Sequence, residues 1–324
     1  MMMHLPALPV LLPFFAAVFV LFPFFNERLP LQRLVTQLFL LALVAVSALM
    51  LYTTLRDGAL GYAMGDWEAP FGIFLLADPM SSFMVLLTSV LALGAHLYAC
   101  AGEDATGRYF HPLYLFQLMG LNGAFLTADA FNLFVFFEIL LIASYSLLIH
   151  GGGRERTRAA QHYVLYNLIG SAFFLVALAV LYHAFGTLNI PDMAERAPHL
   201  SDESLPLAEA GGMLLMLVFG IKAALLPLHF WLPRTYSSTS IPVAALFAVM
   251  TKVGLYSMWR IHGVVYAEGH GELGGLGLDL LAVLSGLTVV VGSLGVLAAE
   301  SLRRLIANLV ILSAGTLLMT VAMG

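Results

Sequence analysis

Apolar stretches of about 20 residues recur along this chain, separated by short polar loops. A helix of about 20 residues rises about 30 Å, which matches the hydrocarbon thickness of a bilayer. We place ten such stretches at residues 5–25, 34–54, 79–101, 110–128, 131–150, 160–185, 211–232, 241–262, 278–299 and 302–323. The sequence therefore predicts an all-α fold, a polytopic transmembrane helical bundle.

Composition agrees and excludes several function classes. Of the 324 residues, 61% are hydrophobic and 10% are charged, whereas a soluble domain has about 25% charged residues. The single cysteine, Cys100, excludes an internal disulfide framework and a CxxC metal site. No basic cluster indicates nucleic acid, and no metal-ligand spacing, nucleophile elbow or phosphate loop indicates an enzyme. We expect no cofactor, and we expect the first apolar stretch to be a retained helix because no positive n-region precedes it.

Arginines are distributed unevenly between alternate loops. With the N-terminus outside, the inner loops hold nine arginines: Arg28, Arg33, Arg108, Arg154, Arg156, Arg158, Arg234, Arg303 and Arg304. The outer side then holds three: Arg56, Arg196 and Arg260. Short cytoplasmic loops carry the excess of positive charge in membrane proteins. We therefore expect the N-terminus to lie outside.

Three charged residues lie deep inside apolar stretches, away from their ends, and we call them the charged trio: Glu138, Lys222 and Lys252. The two lysines are the only lysines of the chain. A charge at the bilayer centre costs roughly 2.5–3.5 kcal/mol, so such residues usually line a substrate, ion or proton path. Lysine suits proton transfer because it can release its proton when buried, whereas arginine stays charged. The alternative is a static contact that only fixes helix packing.

Pro227 predicts a break in the helix that carries Lys222. Proline cannot donate to the carbonyl four residues earlier, which belongs to Ala223. Broken helices at membrane depth occur where they are buried in protein or line a wet cavity. His229, a little further on, is a candidate to extend a proton path toward the inner surface.

Other residues favour structural roles. Asp78 and Asp129 each precede an apolar stretch and are expected to cap helix N-termini. The loop before Asp78 is rich in turn formers and contains the short apolar run 71–76, which predicts a small external strand or hairpin. His96 and His262 are expected to be packing or interface residues.

Two segments resemble a known family. Residues 129–138, continuing to 150–153, are similar to the fifth-helix signature of the D subunit of Mrp-type multisubunit cation/proton antiporters. The second segment, which runs from residue 219 through 233 to 250–256, resembles the same subunit. The resemblance spans nearly the whole chain, and the same superfamily includes the antiporter-like membrane subunits of respiratory complex I and of membrane-bound hydrogenases.

The resemblance implies a role for each member of the charged trio. Glu138 resembles the fifth-helix glutamate, and Lys222 resembles the seventh-helix lysine that is paired with it. Lys252 resembles the eighth-helix lysine that relays protons toward the centre of the subunit, and His229 matches a recurring histidine. We therefore expect a proton relay through these four residues, with no metal.

The resemblance also implies an antiporter-like fold and a division of the chain. Residues 1–101 would form an N-terminal three-helix region with an external loop at 55–78, and residues 102–262 a first five-helix repeat. Residues 263–324 would begin a second, inverted repeat that is incomplete here. Because relatives continue beyond this point, we expect the sequence to be part of a longer protein or of a split subunit.

The function expected from the resemblance is proton translocation within a multisubunit Na+/H+ or K+/H+ antiporter of the bacterial inner (plasma) membrane. The expected partners are other membrane subunits, protons, Na+ or K+, and lipid. Residues 302–315 contain no histidine, which favours the Mrp D type, particularly its potassium-associated branch. Two alternatives stay open: a proton-pumping subunit of a complex I-like or hydrogenase complex, and a structural scaffold subunit.

Overall fold

The computed structural model describes residues 2–67 and 72–323, and these residues form ten long helices joined by short elements. We number them α1 to α10: Leu8–Leu21, Leu29–Asp57, Pro79–Ala99, Phe110–Leu126, Ala130–Leu148, Arg154–Phe185, Leu205–Ala223, Ile241–His262, Leu278–Leu297 and Leu302–Ala322. Each lies at one of the ten predicted stretches. The prediction of an all-α transmembrane bundle is confirmed.

Short elements connect the long helices. The short α-helices are Pro23–Asn26, Ile190–Arg196 and Trp231–Ser238. The 3-10 helices are Met2–Ala7, Met64–Asp66, Glu103–Thr106, Ala197–His199 and Gly271–Leu273.

A two-stranded antiparallel hairpin connects α2 to α3. Strand β1, Leu60–Ala63, pairs with β2, Phe74–Ala77, so that Leu60 lies opposite Ala77 and Ala63 opposite Phe74. The predicted hairpin is therefore present, although Phe71, the first residue of the predicted apolar run, lies outside the described residues.

Two helix starts follow the predicted capping chemistry. Asp78 accepts a hydrogen bond from the backbone amide of Ser81 at 2.8 Å, and Ser81 Oγ accepts from the Asp78 amide at 2.9 Å. Asp129 accepts from the amide of Asn132 at 2.6 Å. These bonds satisfy amides that have no partner within the helix, so both carboxylates are helix caps as predicted.

Helix α4 lies in the middle of the bundle. It packs against α1, α3, α5 and α8, and nearly all of its residues are buried. Within the described ranges, the other nine helices are long and apolar enough to cross a membrane. Helix α4 has 17 residues, a length of about 26 Å. Because protein encloses it, α4 needs less length than a helix that faces lipid.

Large apolar side chains cover the outside of the bundle. Leu38, Leu168 and Val283 are 57%, 62% and 61% exposed on α2, α6 and α9. A soluble protein rarely exposes so much contiguous apolar surface, whereas lipid tails solvate it without cost. The buried polar residues are therefore set apart from both lipid and water.

Candidate functional site

Helix α7 ends at Ala223, directly after Lys222, and the break confirms the prediction from Pro227. Ala224 takes a left-handed conformation, with φ 57° and ψ 44°. The amide of Leu225 donates to the carbonyl of Gly220 at 2.9 Å, which closes the last turn. The predicted stretch 211–232 therefore consists of a helix, an irregular segment and the start of the short helix Trp231–Ser238.

Two neighbouring elements hold the irregular segment in place. Trp231 Nε1 donates to the carbonyl of Ile221 at 3.0 Å. The amide of Leu226 donates to Thr288 Oγ1 on α9 at 2.9 Å. These bonds satisfy backbone groups that the break releases, as a break inside a bilayer requires.

Lys222 is 4% exposed and bonds to helix α6. Its ammonium donates to Asn167 Oδ1 at 3.3 Å and lies 5.6 Å from the ring centre of Phe137 on α5. The amide group of Asn167 in turn donates to the carbonyl of Tyr163 at 2.9 Å. Asn167 therefore holds the lysine at the end of the broken helix.

Glu138 on α5 is partly buried and also bonds to α6, where Ser171 Oγ donates to its carboxylate. Glu138 and Lys222, both described residues, make no direct ion pair. Each is instead held by one α6 side chain, and Ser171 and Asn167 are four residues apart. Such a spacing places both side chains on one helix face, so a polar side of α6 connects the acid to the lysine.

Lys252 on α8 bonds to α10, where it donates to Ser313 Oγ at 2.5 Å. It also lines a cavity of about 420 Å³ with Met80, Tyr256 and Thr320. The walls of that cavity are otherwise mostly apolar. Ser313 is therefore the polar group that holds this ammonium inside the bundle.

Gly254 brings the helices of the two lysines into close contact. A Cβ at this position of α8 would lie 2.9 Å from both the Lys222 Cβ and the Ala223 amide nitrogen. A glycine is therefore required for α8 to approach the end of α7 this closely. The same crossing places Lys252 one half-turn of α8 away from the contact.

His229 lies in the irregular segment after Lys222 and is 7% exposed. Its ring stacks on Phe230 with centroids 4.4 Å apart, and within the described part of the chain its Nδ1 has no hydrogen-bond partner. It makes no hydrogen bond or ion pair there with the charged trio. The structure thus brings Glu138 and Lys222 to a common helix and leaves His229 apart from them.

The sequence interpretation did not find the polar residues of α6. Tyr163, Asn167 and Ser171 recur every four residues within an apolar run, and all three are buried. That spacing is a signal for one polar helix face. Ser313 had no comparable signal, because one serine in an apolar helix is common.

His262 lies outside the expected proton relay. His262 is 2% exposed and stacks on Tyr266, with centroids 5.3 Å apart, in agreement with the packing role predicted for it. No cluster of three or more histidine, cysteine, aspartate or glutamate residues suited to a metal ion occurs in the ranges 2–67 and 72–323.

Named proteins with similar sequences belong to cation/proton antiporters. The D subunit of a probable K+/H+ antiporter of Rhizobium meliloti is 42% identical over 99% of this chain. The D subunit of the Na+/H+ antiporter of Alkalihalophilus pseudofirmus is 35% identical over 98% of it. The chain spans 60% and 64% of the length of these two relatives.

Solved structures with the same fold come from multisubunit membrane complexes. A chain of the Mrp complex from Dietzia sp. superposes with a TM-score of 0.88 at 28% identity, covering 99% of this chain and 59% of that one. A chain of the membrane-bound sulfane sulfur reductase, an archaeal respiratory complex, superposes with a TM-score of 0.86 at 28% identity, covering 98% and 64%.

A family model agrees with both comparisons and covers more than half of the chain. Residues 127–324 match the transmembrane domain described as NADH:quinone oxidoreductase/Mrp antiporter. The matched region contains the whole charged trio and the broken helix. This multi-span membrane chain belongs to the NADH:quinone oxidoreductase/Mrp antiporter transmembrane family.

Proposed function

We propose that this chain is a proton-translocating subunit of a multisubunit monovalent cation/proton antiporter, a transporter subunit and not an enzyme. The observation that carries the proposal is the arrangement at the break of α7. There the buried Lys222 and the carboxylate of Glu138 bond to one polar face of α6. The names of the similar proteins, D subunits of K+/H+ and Na+/H+ antiporters, support antiport as the activity.

The proposed mechanism uses electrostatic coupling inside a low-dielectric bundle. While Glu138 is ionised, its charge favours the ammonium form of Lys222; when Glu138 binds a proton, that support is lost. The lysine can then release its proton toward Lys252 on the adjoining helix. Asn167 and Ser171 hold the acid and the first lysine at fixed places along α6, so that each charge change acts on a defined neighbour.

Lys252 is proposed as the next carrier. Its ammonium bonds to the Ser313 hydroxyl, which can accept a hydrogen bond from the charged form and donate one to the neutral amine. We propose that His229 binds and releases protons at the irregular segment, because its Nδ1 has no hydrogen-bond partner among the described residues.

The wider setting follows from the same proposal. We place the chain in the bacterial plasma membrane with its N-terminus outside, because that orientation puts nine of the twelve arginines in inner loops. Its partners would be other membrane subunits, and its ions H+ with Na+ or K+. We further propose the division 1–101, 102–262 and 263–324, with the central part as a five-helix repeat.

One alternative has a specific observation in its favour. The TM-score of 0.86 with a chain of an archaeal respiratory complex shows that the same architecture occurs in redox-driven assemblies. In that case the charged trio would move protons in response to electron transfer. The names of the similar sequences favour antiport over this alternative.

The test compares cation-dependent collapse of a proton gradient in everted vesicles that contain the complete complex. Lys222→Ala should abolish exchange, because the relay loses the group that holds the proton. Arg158→Ala is the matched control, since it removes an exposed basic residue from α6 and should leave exchange unchanged. Both variants are compared with the native complex at equal expression.

The results of this test distinguish the antiporter subunit from a scaffold subunit and from a redox-driven proton pump. Normal exchange in both Lys222→Ala and Lys252→Ala would reduce the lysines to packing and favour a scaffold subunit. A native complex that shows no cation dependence, but acidifies vesicles when a reductant is supplied, would favour the redox-driven alternative.

A further inference from the structure

A second group of titratable side chains lies where α3 and α4 meet, and the proposed relay does not use it. Arg33 donates from Nε and from one terminal nitrogen to the two carboxylate oxygens of Asp104, each at 2.7 Å. His111 Nε2 lies 3.2 Å from the same carboxylate. His111 Nδ1 lies 3.2 Å from His96 Nε2. The four side chains therefore form one chain of polar contacts.

Protein encloses three of these four side chains, whereas Arg33 is 31% exposed. Asp104 is 1% exposed, and His96 and His111 are 0% exposed. The chain of contacts joins α2, which carries Arg33, to α3, α4 and the 3-10 helix Glu103–Thr106. A packing role, as predicted for His96, does not require two imidazoles to bond to each other and to a buried carboxylate.

Two further titratable residues, Cys100 and His150, lie close to the buried histidines. Cys100, at the end of α3, has its Sγ 3.9 Å from the imidazole nitrogens of His96. On the other side, the ring of His150 lies 5.3 Å from that of Phe110. His150 also lines a cavity of about 540 Å³ together with Arg108. His150 therefore lies between this cavity and Phe110, the residue that precedes His111 on α4.

The charges around the two histidines balance when both imidazoles are neutral. Burial works to raise the pKa of Asp104, but hydrogen bonds and charge from Arg33, with His111, hold that pKa below its ordinary value. Asp104 is therefore ionised and cancels Arg33. The titratable and charged groups that face the two histidines from the surrounding elements are Arg33, Cys100, Asp104, Tyr114 and His150. His150 in turn lies near Glu103 and Arg156.

Binding one proton would reverse the hydrogen bond between the histidines. In the neutral state the carboxylate of Asp104, 3.2 Å away, favours the tautomer of His111 with its proton on Nε2, so that His111 Nδ1 accepts from His96 Nε2. A proton from water that binds His111 Nδ1 turns this nitrogen into a donor. His96 Nε2 must then accept, and the proton of His96 moves to Nδ1, where Cys100 is its neighbour.

We propose that His96 and His111 form a second proton-binding site, separate from the charged trio, with Asp104 as its counterion. Its ligand is a proton taken from water at this end of the bundle. Occupancy of the site changes the hydrogen bonding that ties α2, α3 and α4 together. The proposal does not rest on antiport, so it can be tested without a transport measurement.

Cys100 is the only cysteine of the chain and reports on the site directly. Burial raises the pKa of its thiol. Because only the thiolate reacts, the alkylation rate of an isolated thiol rises about tenfold for each pH unit as long as the pH stays below its pKa. The experiment measures alkylation of Cys100 by iodoacetamide in the purified complex from about pH 5 to about pH 9, by peptide mass spectrometry. A proton bound at the histidines would stabilise the thiolate. In a plot of the logarithm of the alkylation rate against pH, we therefore expect a change of slope, which we call the break, with a higher rate on its acid side than the line from higher pH extrapolates to.

His96→Gln should remove the break and lower the rate at pH 6 about tenfold, the effect of one pKa unit on the thiolate. His111→Gln should also remove the break. If His96→Gln does not fold, the result for His111→Gln tests the proposal. His162→Gln, an exposed histidine on α6, should leave the curve unchanged. A native curve with one slope across the whole range would overturn the proposal, as would two variants that both match the native protein.

Discussion

Asn167 and Ser171 hold two members of the charged trio, Lys222 and Glu138. Without them, the ammonium of Lys222 would be buried beside Phe137 with no acceptor, and the carboxylate of Glu138 would lose a donor. An unpaired buried charge costs several kcal/mol. The α6 side chains therefore make it possible for both charges to remain inside the bundle.

Ser171→Ala should reduce cation-dependent proton exchange, because Glu138 loses the hydrogen bond that fixes its carboxylate relative to Lys222. We expect a loss of about tenfold in rate, equivalent to about 1.4 kcal/mol. The measurement is gradient collapse in everted vesicles. Ser146→Ala is the matched control, since Ser146 on α5 bonds to the carbonyl of Ile142 within its own helix. Equal rates in the two variants would remove Ser171 from the proposed relay.

At the scale of elements, the crossing of α7 and α8 decides how close the two lysine-bearing helices lie. The end of α7 fits against Gly254 because this residue has no side chain. Interiors of proteins are packed closely enough that one added methyl group displaces its neighbours. The break of α7 and the position of α8 are therefore coupled.

Gly254→Ala should destabilise the protein by about 1–3 kcal/mol, since the new Cβ would overlap backbone atoms at the helix end. Gly94→Ala on α3 is the matched control, because nothing lies within 4 Å of its Cβ position. This second change should be neutral or stabilising by about 0.5–1 kcal/mol. Thermal unfolding in detergent gives both values. If Gly254→Ala melts no lower than Gly94→Ala, the close crossing is not present in solution.

At the scale of the whole molecule, ion pairs between described residues connect helices that are distant in sequence at two places. One is the contact of Arg33 with Asp104. The other joins Arg260 of α8 to Asp78 at the start of α3, with 2.5 Å between nitrogen and oxygen. Arg260 also donates to the hydroxyl of Tyr256 at 2.6 Å. Each pair connects elements that the loops alone do not bring together.

Asp78→Asn should lower the free energy of unfolding at pH 7 by on the order of 2 kcal/mol, because Arg260 loses its charged partner while the helix cap is kept. Burial works to raise the pKa of Asp78, but the Ser81 amide and Arg260 hold that pKa below its ordinary value. A lowered folded-state pKa contributes stability above the unfolded value of about 3.9, and this contribution is lost as the pH falls through the folded value. The difference in melting temperature between native and variant should therefore be largest near neutral pH and shrink below about pH 4. A difference that stays constant with pH would contradict this origin.

Sequence reasoning recovered the bundle because long apolar runs leave few alternatives in a bilayer. The break at Ala223 was predictable from Pro227, and the caps at Asp78 and Asp129 from their positions before apolar runs. Partners of the buried charges were harder to predict. Asn167 and Ser171 had a readable four-residue spacing, whereas the contact of Lys252 with Ser313 depends on how α8 and α10 pack. The resemblance implies that Lys222 is paired with Glu138, and in the structure both residues bond to α6 and not to each other.

The sequence by itself determined that the chain crosses a membrane, where its helices lie and which charged residues are buried, because burial of charge is so costly that composition and position reveal it. Only the tertiary structure decided which groups meet. No sequence pattern links His96, Asp104 and Arg33. Helix packing nevertheless brings them into contact with one another through His111, and only Arg33 keeps part of its side chain exposed. The physical reason is that helix formation depends on local sequence, whereas the contacts between polar groups depend on the crossing of whole helices.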